Sequence, residues 1–276
     1  MRRLGIVLSL LLLLGGCRRH EASTTDTHEQ HSGTAATAAT QPAAVAASIG
    51  PDRMQLPNGN GALGYLALPP AKTAEKRPAI IVIQEWWGLT DWVKQQTDRF
   101  AQQGYVTLAV DLYRGKATDD AQEAHELMRG LPEDRAIADL KAGFDYLASR
   151  PDVDPARIGV IGWCMGGGYA LGFATAEPRL KAAVMNYGRL ITDQNTLAKI
   201  QPRLLGNFGA DDRGIPAADV KAFGEALTKA GKLADIKIYN GVGHGFMSED
   251  SEATRDAWRR IDGFFADTLR ANMPNP

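Results

Sequence analysis

Arg157-Ile158-Gly159-Val160-Ile161-Gly162-Trp163-Cys164-Met165-Gly166-Gly167-Gly168 begins as a continuous apolar run and breaks into glycines around a single cysteine. The run reads as a strand buried on both faces, and the residues after it, 165–175, as a helix. Working outward, the same alternation repeats. Strands are expected at 78–85, 105–110, 181–185, 203–208 and 235–239. Helices are expected at 91–103, 121–129, 134–149 and 252–269, with others between the later strands. In the last helix Ala257, Ile261, Phe264, Phe265 and Leu269 form one apolar stripe. Residues 63–68 read as an early edge strand, antiparallel to the rest. Strand–helix alternation of this kind implies an α/β fold: one mostly parallel sheet with helices on both faces. Ligands in such sheets bind beyond the carboxyl ends of the strands, so the segments to inspect are those that follow each strand.

Cys164 stands at such a point, in the pattern Gly-x-Cys-x-Gly. A nucleophile on a sharp strand–helix turn sits in a strained conformation. Cβ atoms two residues to either side would strike the turn or the neighbouring strand, and glycine removes both collisions. The helix behind it points its positive end at the sulfur and favours the thiolate. An inert core cysteine and a phosphate-cradling loop are the competing readings. The turn lacks the Gly-Lys-Ser/Thr of a nucleotide loop and does not match Gly-x-Gly-x-x-Gly. A nucleophile needs a base and an acid to orient it, in the chain order nucleophile, acid, histidine for this type of turn. The single histidine after Cys164 is His244, in Gly241-Val242-Gly243-His244-Gly245-Phe246, directly after an expected strand. The acid should follow strand 203–208, where Asp211 and Asp212 both stand. Asp212 is the expected member and Asp211 the alternative.

Composition narrows the classes. The chain has 276 residues, 44% hydrophobic and 23% charged, with a net charge of −1. That is ordinary for a globular protein and too balanced to suggest nucleic acid as a partner. Two cysteines, Cys17 and Cys164, are too few for a disulfide framework or a four-cysteine zinc site. The first fifty residues differ from the rest. Arg2 and Arg3 precede an apolar run ending Leu14-Gly15-Gly16-Cys17, too short to span a bilayer comfortably. It resembles a bacterial lipobox, which implies cleavage before Cys17 and its lipidation. The alternative is an ordinary secretory signal that contains a cysteine. Two acyl signals on Cys17 would anchor the chain stably. Arg18 and Arg19 follow, where an Asp would indicate inner-membrane retention, so an outer-membrane lipoprotein facing the periplasm is expected. Residues 18–50 are rich in Ala, Thr, Ser, His and Gln and read as a flexible tether. His20, His28 and His31 lie there as solvated linker residues rather than as a metal cluster.

The order Cys164, Asp212, His244, with cysteine at the turn, resembles the dienelactone hydrolase family of α/β-hydrolases. Ile83-Gln84-Glu85-Trp86-Trp87-Gly88-Leu89 resembles that family's Gln-Glu-x-x-Gly segment, and Val110-Asp111-Leu112-Tyr113 its Asp-Leu-Tyr. The likeness spans about residues 53–270. Three segments are therefore expected: a signal peptide 1–16, a lipidated cysteine and tether 17–50, and an α/β-hydrolase domain 51–276, as a monomer. The likeness itself implies hydrolysis of a small ester or lactone through a thioester, with no metal and no cofactor. Cys164 would be the nucleophile, His244 the base, Asp212 its acid, and Glu85 an additional carboxylate contacting the resting thiol. The backbone N–H groups of Trp86 and Met165 would hold the oxyanion. Trp86 and Trp87 are either pocket wall or core. Relatives that prefer dienelactone grip its carboxylate with arginines, one of them shortly after the histidine; here Gly245-Phe246-Met247-Ser248-Glu249 has none. Tyr113 and Arg114 are the candidate substrate contacts. A non-catalytic envelope lipoprotein on the same scaffold is the alternative. In an oxidising compartment a lone free thiol is also open to sulfenic acid formation.

Overall fold

The computed structural model describes residues 53–71 and 74–270; the expected signal peptide, Cys17 and tether lie outside them. The strands are β1 (Met54–Gln55), β2 (Leu63–Ala67), β3 (Arg77–Ile83), β4 (Val106–Asp111), β5 (Val153–Trp163), β6 (Ala182–Asn186), β7 (Arg203–Gly209) and β8 (Ala234–Tyr239). Between them run the helices α1 (Asp91–Gln102), α2 (Ala121–Arg129), α3 (Glu133–Ser149), α4 (Met165–Ala176), the short α5 (Gln194–Leu197), α6 (Ala217–Lys229) and the terminal α7 (Glu252–Leu269). The eight strands form one sheet in the order β1-β2-β4-β3-β5-β6-β7-β8. From β4 through β8 every neighbouring pair is parallel, while β1 and β2 join antiparallel. The expected α/β architecture is therefore the observed one. Two details differ. β2 is antiparallel as expected but lies second from the edge, because the two-residue β1 pairs outside it; two residues leave no periodicity to read. β5 starts at Val153 rather than near 157, since its polar first half pairs only at Val153 with Arg77 before a register shift.

The apolar runs are buried as their pattern demands. Ala79 to Ile83 in β3 and Val160 to Trp163 in β5 are inaccessible to solvent. α1 and α7 pack on one face of the sheet, α3 and α4 on the other. In α1 the inward stripe is Val93, Thr97 and Phe100. Phe265 of α7 meets Phe100 and Tyr105 at ring separations of 5.7 and 6.2 Å. Each such ring contributes about 1.5–3 kcal/mol through burial. The strand order matters for function: β3 lies beside β5, β6 beside β5, and β7 beside β8, with all their carboxyl ends at one edge.

Candidate active site

The turn after β5 has the geometry its glycines predict. Cys164 sits at φ 54°, ψ −119°, a region that L-residues rarely enter and that costs about 1–3 kcal/mol. A Cβ on Gly162 would lie 2.1 Å from the Gly166 carbonyl oxygen. One on Gly166 would lie 2.5 Å from the Ile83 carbonyl oxygen and 2.4 Å from that of Gln84. The first collision is with the turn, the second with the neighbouring strand. The first turn of α4 is thereby pressed against the end of β3, the strand that Glu85 and Trp86 follow. The Cys164 N–H donates to the Asn186 carbonyl at 3.0 Å, fixing the turn to β6. The N–H groups of Gly167 and Gly168 donate back to the Cys164 carbonyl. Met165 is the first residue of α4, so its N–H has no acceptor within the helix.

His244, in the loop after β8, places Nδ1 2.7 Å from Oδ2 of Asp212, and Cys164 is among the groups that act on its ring. Asp212 is buried, whereas Asp211 is exposed; the structure thus resolves the two aspartates in favour of Asp212. Its other oxygen accepts from the N–H groups of Gly214 and Ile215, at 2.8 and 3.1 Å. Burial pushes the Asp212 carboxyl up, but its bonds to His244 and to those two N–H groups outweigh this and hold it below its ordinary value. Burial by itself would lower the His244 imidazole. Asp212 and Cys164, with their negative charge, reverse that and raise it to about 10. The partly exposed sulfur therefore faces a histidine that keeps its proton through neutral pH.

Glu85 follows β3 and is only 6% exposed, so it is not an exposed loop carboxylate. Trp86 and Trp87 are half-buried and meet edge to face at 4.8 Å; Trp86 also approaches His125 of α2. Tyr113 is buried, and its hydroxyl donates to the Met165 sulfur at 3.2 Å, which keeps it beside the nucleophile turn. The Arg114 guanidinium makes a bidentate pair with Asp139 of α3, at 3.2 and 2.8 Å. Asp139 is 2% exposed, and a carboxylate so buried needs that cation.

Three residues that the sequence reading passed over belong here. Asn186 ends the apolar strand β6, and Asn207 lies inside β7, paired with it. The Asn207 amide donates to Asn186 at 2.8 Å, and Asn186 donates to the Gly162 carbonyl at 3.1 Å, forming a buried relay under the turn. Their signal was an amide inside an otherwise apolar run. Tyr187, the next residue, stacks edge-on to His244 at 5.1 Å. Among the described residues no group of three or more His, Cys, Asp or Glu is arranged to hold a metal ion. A groove of about 870 Å³ opens at the opposite end of the strands, lined by Lys76, Arg157, Lys181 and Arg203 together with Glu75, Asp154 and Asp267. It lies far from this chemistry and balances both signs of charge.

Comparison with known proteins finds relatives of the whole fold. The profile of the dienelactone hydrolase family matches residues 63–269. A protein of Methylorubrum extorquens, provisionally named a carboxymethylenebutenolidase, is 30% identical over 254 residues, covering 82% of this chain and 87% of its own. A solved structure from Klebsiella pneumoniae, provisionally named a dienelactone hydrolase, superposes with a TM-score of 0.69 at 29% identity, covering 74% of this chain and 92% of that one. A dienelactone hydrolase-like promiscuous phosphotriesterase from metagenomic libraries gives 0.69 at 25% identity, over 75% and 93%.

Proposed function

Because the chain belongs to the dienelactone hydrolase family, we propose that it hydrolyses small carboxylic esters or lactones through Cys164, His244 and Asp212. The observation that carries the reading is the 2.7 Å bond from Asp212 to His244, whose ring is also acted on by the cysteine of a strained strand–helix turn. The thiolate attacks the carbonyl carbon, and the carbonyl electrons move to oxygen. The N–H groups of Met165 and Trp86 receive that oxyanion, and one such donor is worth about 3 kcal/mol. On collapse the C–O bond breaks, and the alkoxide takes the proton from the His244 imidazolium; in a lactone it stays on the same molecule. The thioester no longer carries thiolate charge. His244 thereby loses one of the interactions that raise it, and it becomes able to take a proton from water. Hydroxide adds to the thioester, the C–S bond breaks, and the acid leaves.

The substrate class follows from the missing cations. No arginine stands among the five residues after His244, and Arg114 is engaged by Asp139. Esters and lactones without a free carboxylate are therefore favoured over dienelactone. We further propose that Cys17 carries a lipid anchor and that 18–50 tether the hydrolase domain to the envelope membrane, on the strength of the Leu14-Gly15-Gly16-Cys17 motif.

The test is hydrolysis of a short-chain para-nitrophenyl ester and lactone panel, dienelactone included. Cys164→Ala is expected to abolish turnover, and equal activity in both proteins would end the reading. Asp212→Asn is expected to lower kcat/KM by about 10²–10⁴. The sign of its pH effect is fixed: a raised histidine pKa keeps the imidazolium up to about pH 10, so losing Asp212 moves the alkaline limb of the rate profile downward.

A further inference from the structure

Two buried amides stand in strands that are otherwise apolar. Asn186 of β6 and Asn207 of β7 are inaccessible to solvent, and a buried amide destabilises unless its donors and acceptors are met. The Asn207 side-chain oxygen accepts from the guanidinium of Arg260, on α7. The Asn207 amide donates to Asn186 at 2.8 Å, and the Asn186 amide donates to the Gly162 carbonyl at 3.1 Å. Behind Arg260 stands Asp235 of β8, whose carboxylate holds the guanidinium at 2.8 Å. One chain of polar contacts thus runs from β8 through α7, β7 and β6 to β5. Of these, β5, β7 and β8 are the strands followed by Cys164, Asp212 and His244.

The direction of this chain is fixed at both ends. A guanidinium only donates and a carbonyl only accepts. Asn207 must turn its oxygen to Arg260 and its amide nitrogen to Asn186, and Asn186 must then turn its own nitrogen to Gly162. Reversing either amide sets oxygen against oxygen or donor against donor. Each bond polarises the next, so the charge on Arg260 strengthens the last one. That last bond falls on the nucleophile turn. Gly162 lies two residues before Cys164, and the Cys164 N–H donates to the backbone carbonyl of the same Asn186 at 3.0 Å. Asn186 therefore grips the turn on both sides of Trp163, where Cys164 is held at φ 54°. The Asn207 backbone carbonyl also accepts the Tyr187 N–H at 2.8 Å. Tyr187, whose buried hydroxyl has no hydrogen-bond partner among the described residues, lays its ring edge-on to His244 at 5.1 Å.

We propose that Arg260 is a positioning residue for Cys164: through the Asn207 and Asn186 amides its guanidinium sets the nucleophile turn against the strand ends that bear Asp212 and His244. The inference rests on the functional reading above and adds to it a residue of α7 that acts through others. No proton is transferred along the chain.

The experiment compares the wild type with Arg260→Met and Arg260→Lys. Arg259→Ala serves as control, since that neighbouring arginine is exposed and paired with Asp256. Two readouts are taken at neutral pH: steady-state hydrolysis of para-nitrophenyl acetate, and the rate of Cys164 alkylation by iodoacetamide, followed on its own peptide by mass spectrometry. The second reports the thiol whether or not an ester is turned over. Arg260→Met keeps an apolar stem and removes the donor. It is expected to lower kcat and the alkylation rate together by about tenfold to a hundredfold, the scale of a misplaced reacting group, with KM within about a factor of two. Arg260→Lys still presents a charged donor and should recover most of both, and Arg259→Ala should match the wild type. A wild-type alkylation rate in Arg260→Met, a loss carried by KM alone, or a lysine variant as slow as the methionine one overturns the proposal. Should Arg260→Met not fold, Asn207→Asp keeps an oxygen for Arg260 but, ionised, has no hydrogen to give Asn186; alkylation must slow there too, and a wild-type rate overturns the proposal. If Cys164→Ala still hydrolyses esters, the functional reading fails, while the alkylation rates still decide whether Arg260 acts on the thiol.

Discussion

At Cys164 the backbone holds φ 54° because the residues around it leave no room for anything else. Gly162 is the clearest case: a methyl there meets the Gly166 carbonyl at 2.1 Å, and that oxygen belongs to the first turn of α4, which is itself wedged against β3. Gly162→Ala is therefore expected to cost at least about 3 kcal/mol in a urea melt, with loss of the site. Gly263, on the outer face of α7, has nothing within 4 Å of the corresponding point. Gly263→Ala is expected to stabilise by about 0.5–1 kcal/mol. Equal effects at the two glycines would contradict the steric account of the elbow. Gly162, Gly166, Cys164 and His244 were legible as letters because each stands next to a recognisable strand end. Tyr187 was not, because a tyrosine after a strand reads as core until its unpaired hydroxyl is located.

The turn between β4 and α2 illustrates the same limit one level up. Asp111 accepts from the N–H groups of Tyr113 and Gly115, at 3.1 and 2.8 Å, and pairs with the buried Arg53 at 3.5 Å. Arg114 then clasps Asp139, joining the turn to α3. The two clasps hold the Tyr113 hydroxyl against Met165. A lone Arg beside a motif tyrosine suggested a substrate contact; only the packing of α3 supplied the carboxylate that claims it. Arg114→Ala is expected to destabilise by about 2 kcal/mol, less than for a wholly buried pair because the guanidinium is partly exposed. Adding Asp139→Asn should recover part of that loss, and KM should stay within a factor of two. A tenfold rise in KM with unchanged stability would return Arg114 to the substrate.

Over the whole molecule the proposed anchor makes its own prediction. Labelled palmitate should be incorporated into the full chain and not into Cys17→Ser. A chain starting near Ala47 should fold and match the full chain in kcat/KM, since strand, turn and histidine loop all lie within 53–270. Loss of activity on that truncation would mean that the N-terminal segment contributes to the site. The amino-acid order by itself determined the strand–helix alternation, the mostly parallel sheet and the three strand ends that bear Cys164, Asp212 and His244, because buried runs, glycine-rich turns and helical stripes are local patterns. Only the tertiary structure set Asp212 rather than Asp211 against His244, paired Arg114 with Asp139, placed β1 outside β2, and brought Asn186, Asn207 and Tyr187 beneath the nucleophile turn. Those outcomes depend on which strands become neighbours, and no local spacing encodes a partner that lies twenty or more residues away.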